Sequence, residues 1–110
     1  MRMKNSEIKL NVGLDENNVP EKITWYAEDS SDKPAEAKGV MLTLWDKKEN
    51  NTLRIDLWTK EMTVEEMRFF CCQTMLTLSD TFLRATGDAE NASVLKEFAA
   101  NFAKKLSVLK

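Results

Sequence analysis

Ile8, Leu10, Val12 and Leu14 alternate with polar residues, the period-two signature of a half-buried strand. DENN at 15–18 is a turn signal, and Val19 to Ala27 reads as a second strand. Pro20 falls near its start, where a missing N–H is tolerated. Setting Leu14 across from Val19 brings Leu10 opposite Ile23 and Ile8 opposite Trp25, so the apolar sides coincide in a hairpin with a four-residue loop. Residues 28–36 (EDSSDKPAE) read as a polar loop. Val40, Leu42 and Leu44 then make one face of a third strand, Lys47 to Asn50 turns the chain, and Leu53, Ile55 and Leu57 make one face of a fourth. Pairing Leu44 with Leu53 places Leu42 opposite Ile55 and Val40 opposite Leu57. The pattern predicts an antiparallel meander of four strands over about residues 6–59.

Helical spacing takes over after Met62. Thr63 with Glu66 forms a capping box, and a helix follows over about 64–86 with Gly87 as its C-terminal cap. Asp88 caps a second helix over about 89–109, in which Ala92, Leu95, Ala99, Phe102, Leu106 and Leu109 recur at steps of three and four. Strands followed by helices predict an α+β fold: a four-stranded antiparallel meander with a C-terminal two-helix hairpin packed on one face, in a single domain spanning 1–110.

Two surfaces carry more apolar residues than that fold uses. The first helix has no charge from Phe69 to Ser79 (FFCCQTMLTLS). Val64, Met67, Phe70, Cys71, Met75, Leu78 and Phe82 already fill a core stripe, which leaves Phe69, Cys72, Leu76 and Leu83 on other sides. Either the second helix covers them or they form a subunit interface or partner groove. On the sheet, if Val40, Leu42, Leu44, Leu53, Ile55 and Leu57 face the helices, then Met41, Trp45 and Trp58 face away. Tyr26 joins them, because its neighbour Trp25 points inward. In this register Trp58 lies opposite Gly39 and Trp45 opposite Thr52. Such a face is either an ordinary wet one with isolated aromatics or a surface for a homodimer or a client protein. The protein-interaction residues expected are therefore Tyr26, Met41, Trp45, Trp58, Phe69 and Leu76.

Composition removes several alternatives. The chain has 110 residues, 16 Lys and Arg against 18 Asp and Glu, and no histidine, so no basic surplus is available to hold a nucleic-acid backbone. Without histidine there is no Ser-His-Asp or Cys-His catalysis and no His-ligated metal. Cys71 and Cys72 are adjacent, a poor geometry for a bridge within one helix, and read as small buried hydrophobes. Asp15, Glu16, Asp29, Asp32 and Asp56 read as solvated carboxylates, because none has calcium-loop spacing. No cofactor and no bound metal is expected. The N-terminal MRMKNSEIKLNV has no apolar signal core, and no window reaches the ~20 apolar residues of a membrane helix. A cytoplasmic location without direct membrane insertion follows as the expectation.

LDENNVPEKITW at 14–25, Leu44-Trp45-Asp46, and LRIDLWTKEMTVEEMRFF at 53–70 together resemble the gliding-motility protein C family (GldC) of Bacteroidetes. The resemblance runs from Ser6 to about Phe70 and more loosely to the C-terminus. It implies a small non-enzymatic accessory protein, with no catalytic residues to carry over, whose partners are protein components of the gliding and type IX secretion apparatus. The order of strands and helices is also similar to that of the SecB export chaperones, without a shared motif. Together these suggest a chaperone or assembly role, exercised as a homo-oligomer. The competing reading is a small-ligand-binding domain with a pocket between sheet and helices lined by Trp25, Met67 and Phe70.

Overall fold

The computed structural model describes residues 3–29 and 33–106; Asp32 and Leu109 lie outside them. The fold is α+β, with antiparallel strands first and two helices after. The chain divides into two compact units, Met1–Met62 and Thr63–Lys110.

The first unit contains β1 (Ile8–Leu14), β2 (Pro20–Ala27), β3 (Ala35–Ala37), β4 (Gly39–Asp46) and β5 (Asn51–Trp58). They form a three-stranded sheet in the order β1-β2-β3 and a two-stranded sheet β4-β5, in place of one four-stranded sheet. The stretch expected as loop through Glu36 ends in β3, which pairs Trp25 with Ala35 and Ile23 with Ala37. Lys38 interrupts what would otherwise be one long strand, and its carbonyl accepts the Thr59 amide at 2.8 Å.

The β1–β2 register differs from the expected one by two residues: Leu10 pairs with Trp25, Val12 with Ile23 and Ile8 with Ala27. The turn is the cause. Asp15 accepts the amides of Asn17 at 2.8 Å and Val19 at 3.0 Å, and its own amide donates to the Val19 carbonyl at 2.9 Å. Asn18 takes the left-handed conformation (φ 63°) that this closure needs. Val19 is thereby spent in the loop, pairing begins at Leu14 with Pro20, and a bulge at Gly13 and Leu14 absorbs the mismatch. A slip of two leaves every side chain on its expected face.

In β4–β5 the predicted register holds throughout, with Val40 opposite Leu57, Leu42 opposite Ile55 and Leu44 opposite Leu53. At the tip Asp46 accepts the Glu49 amide at 2.6 Å, and Asn50 is left-handed at φ 51°. Among the described residues of this unit the buried apolar side chain is Ile23, 1% exposed, on the central strand of the three-stranded sheet.

The second unit is a helical hairpin, α1 (Val64–Thr86) and α2 (Ala89–Lys105). Its punctuation is the predicted one. Thr63 and Glu66 complete a reciprocal capping box, Gly87 closes α1 in the left-handed conformation (φ 72°), and Asp88 caps α2 by accepting the Asn91 amide at 3.0 Å. Its buried positions differ from the expected stripe. On α1 they are Cys72 and Ser79, seven residues apart, and on α2 they are Ala92, Ala99 and Ala103. Small residues let two helices approach closely, and the larger apolar ones then stay at the margins. Val64 and Leu78, expected in the core stripe, are 72% and 53% exposed, whereas Cys72, expected to be left over, is buried. Cys71 is half-buried, and both thiols are free.

Candidate functional site

The β4–β5 hairpin presents two faces, and the tight turn at Asp46 to Asn51 sets which residues share each. Gly39, Met41, Thr43 and Trp45 alternate along β4 with Thr52, Arg54, Asp56 and Trp58 opposite them on β5. Trp45, 68% exposed, stands at the turn end, and Trp58, 55% exposed, at the other end opposite Gly39. Met41 is half-buried on a diagonal from Trp58. Between the tryptophans Arg54 Nη2 donates to Asp56 Oδ1 at 2.9 Å. That hydrogen bond holds the Arg54 guanidinium still more firmly protonated than usual. The face therefore reads as indole, ion pair, indole. Trp and Arg are the residues that dominate binding hot spots, because they combine large apolar area with a polar handle.

The remaining expected contact residues lie elsewhere. Tyr26 belongs to the three-stranded sheet, where Lys9 is its register partner. It lines a groove of about 320 Å³ with Lys9, Asn11, Thr24, Trp25 and Pro34. Trp25, expected to point inward, is 41% exposed. Phe69 and Leu76 are seven residues apart on α1 in the helical unit; Phe69 is 44% exposed and Leu76 half-buried. Leu76 lines a shallow groove with Phe70, Gln73, Thr74 and Thr77. The hydroxyls along this stretch bond back to the helix: Thr74 donates to the Phe70 carbonyl at 2.8 Å and Ser79 to that of Leu76 at 2.7 Å. Both hydroxyls are satisfied by the helix's own backbone in this way.

Two features escaped the sequence reading. Leu42, Leu44, Leu53 and Ile55, expected to be covered, are between 37% and 53% exposed. Val94 and Phe98, four apart on α2, are 61% and 63% exposed; their spacing off the Ala92–Ala99 line was the available signal.

The acidic residues have structural duties. Asp15 holds the β1–β2 turn and also pairs with Lys60, just beyond β5. This joins the two stretches that carry the family resemblance. The Lys60 hydrogen bond, followed by the Val19 and Asn17 amides, lowers the Asp15 carboxyl from 3.8 to about 2. Because the folded value lies below the unfolded one, the stability it confers is present above pH 3.8 and is lost as pH falls towards about 2. Asp15→Asn is expected to unfold more readily at neutral pH and to lose this part of the acid dependence. Urea titrations of both proteins at pH 2, 4 and 7 check it.

Thr59 is 3% exposed, and its Oγ1 has no hydrogen-bond partner. Its main chain is fixed, since the amide donates to Lys38 and the carbonyl accepts the Met62 amide at 3.1 Å. An orphaned buried hydroxyl costs about 1–3 kcal/mol. Thr59→Val keeps the shape, and is expected to raise stability by about 1 kcal/mol in equilibrium unfolding. A loss of similar size would mean that the hydroxyl is satisfied in solution.

Among the described residues, no group of three or more His, Cys, Asp or Glu is placed to hold a metal ion, and no helix is long and apolar enough to cross a membrane. Comparison with curated proteins and with solved structures finds no match. A family model, gliding motility-associated protein GldC-like, does match over residues 20–108, from the start of β2 beyond the end of α2. This range takes in β4–β5 with both tryptophans and the whole helical hairpin, and the chain belongs to the GldC-like family of gliding motility-associated proteins.

Proposed function

We propose that the chain is a non-enzymatic accessory protein of bacterial gliding motility that works through protein–protein contacts. Its role on this reading is that of an assembly factor or chaperone for envelope motility and secretion components, exercised in the cytoplasm by a homo-oligomer. The observation that carries the reading is the Trp45–Trp58 face. Two tryptophans more than half exposed flank an Arg–Asp pair on one regular hairpin, in a chain of a motility-associated family. Leaving two indoles wet forgoes burial energy of a few kcal/mol, which a protein partner would recover. Met41 extends the contact, while Tyr26 on the three-stranded sheet and Phe69 and Leu76 on α1 supply separate ones.

Affinity capture from extract of a gliding bacterium tests this, with the wild-type chain beside a Trp45→Glu/Trp58→Glu variant. Motility or secretion components held by the first and absent from the second support the reading. Identical captures from both would sink it.

A further inference from the structure

β5 is hydrogen-bonded to β4 along one side, and among the described residues no strand pairs with its other side. The Thr59 amide bonds the Lys38 carbonyl in register with the Gly39–Trp58 pair, and main-chain groups alternate in direction along a strand. Leu53, Ile55 and Leu57 therefore turn their amides and carbonyls to β4, whereas Thr52, Arg54, Asp56 and Trp58 turn theirs to the outer edge. An edge of eight residues without proline, glycine or bulge is a template for another strand. We propose that its occupant is β5 of a second copy of this chain, paired antiparallel about a two-fold axis at Ile55. The inference rests on the homo-oligomer of the reading above and names the edge that joins the copies.

Charge complementarity selects both the partner and the register. With Ile55 facing Ile55 of the second copy, Arg54 faces its Asp56 and Asp56 faces its Arg54. Residues whose main-chain groups turn outward thus meet one another, Arg54 with Asp56 and Thr52 with Trp58, and each such pair exchanges two hydrogen bonds. On the other side of the strand Leu53 meets Leu57, so aliphatic faces aliphatic. Each Arg54 keeps its own Asp56 at 2.9 Å and gains a second one across the seam. A slip of two residues sets Arg54 against Arg54 in one direction and Asp56 against Asp56 in the other, and like charges directly opposite destabilise. A slip of one sets outward groups against inward ones. The other strands offer nothing comparable: β1 is bulged at Gly13 and Leu14, β3 has three residues, and β4 carries no basic residue to pair with Asp46.

The pairing also completes the contact surface. Residues directly opposite in an antiparallel pair share a face, so the tryptophan faces of the two hairpins become one. Within one hairpin Trp45 and Trp58 stand at opposite ends, about 20 Å apart along the strands. Across the seam Trp58 faces Thr52 of the second copy, whose own neighbour on β4 is Trp45. Two strand spacings, about 10 Å, then separate Trp58 from Trp45 of the second copy. The seam brings indoles together in this way on either side of the Arg–Asp cluster, which gives self-association a part in binding.

Charge exchange, read by sedimentation equilibrium of the purified full chain, tests the proposal. The wild type is expected at twice 12.6 kDa. Arg54→Asp and Asp56→Arg each set like charges across the seam, and each should raise the dissociation constant at least about tenfold. Mixed in equal amounts, the two variants are expected to recover the dimer, because every charged pair between them is then opposite in sign. Should either fail to fold by circular dichroism, Thr52→Pro removes an outward amide without touching the ladder to β4, and is expected to weaken the dimer in the same way. A wild type of 12.6 kDa at about 100 μM overturns the inference. So does a dimer indifferent to these changes, or a mixture of the two charge variants that stays monomeric. Because purified protein alone is used, an intact β5 dimer that captures no motility component from extract would count only against the proposed function.

Discussion

Ile23→Ala is expected to destabilise the strand unit by about 2–5 kcal/mol, the range for emptying a fully buried aliphatic site. Ile23 sits on the central strand β2 with Val12 on one side and Ala37 on the other, and only 1% of it is exposed. Neither short neighbour can fill the space a lost side chain leaves, so the cavity stays open. Measured against the roughly 5–15 kcal/mol that holds a domain together, this one change removes a large share. Ile8→Ala serves as the control. Ile8 lies on the neighbouring strand but is 77% exposed, and its truncation should stay within about 0.5 kcal/mol. Urea unfolding followed by tryptophan fluorescence separates the two, because Trp25 reports from the same strand. A loss below about 1 kcal/mol for Ile23→Ala would mean that the weight of the sheet rests elsewhere.

Trp45→Glu/Trp58→Glu should have the opposite profile, with little effect on folding and a large one on contact. Both indoles are more than half exposed, so the helical signal in circular dichroism and the unfolding midpoint should change little. A partner seated on the face would lose two hot-spot anchors of about 2 kcal/mol or more each and gain two buried carboxylates beside Asp56. Capture should weaken by at least about a hundredfold. The single variants separate the ends. Trp58 faces Gly39 and lies diagonal to Met41, whereas Trp45 faces Thr52 near the turn. An unfolded double variant would instead assign the indoles to the interior.

Much of this fold was legible in the residues, and the parts that were not have identifiable causes. The β4–β5 register could be read outright, because six aliphatics alternate on both sides of a polar turn and only one pairing aligns them. For β1–β2 the same reasoning chose a register two residues away. A period-two pattern is unchanged by a slip of two, and the deciding group, the Asp15 carboxylate, acts through main-chain amides that hydropathy does not register. β3 was invisible because Ala-Glu-Ala is too short and too weakly apolar to announce a strand. The caps of α1 and α2 were plain, since each is a local hydrogen-bonding unit. The seam between the helices was not, because it runs along cysteine, serine and alanine and leaves the larger side chains outside.

On the β4–β5 hairpin, alternation put Met41, Trp45 and Trp58 on one face, as the register has them, whereas Tyr26 belongs to the three-stranded sheet. Alternation says which residues share a face and nothing about what covers it. That is why the exposures of Leu42, Leu44, Leu53 and Ile55 were not foreseen. Asp15 and Lys60 are a further instance. Each lies far from the other in sequence, and their ion pair ties the β1–β2 turn to the segment just after β5, which hydropathy does not register.

The most direct measurement is gliding itself, in cells whose only copy of this chain carries Trp45→Glu/Trp58→Glu at the wild-type level. Cells that accumulate the folded variant yet fail to glide are the predicted result. Cells that glide as well as the parent would contradict a function exercised through the tryptophan face.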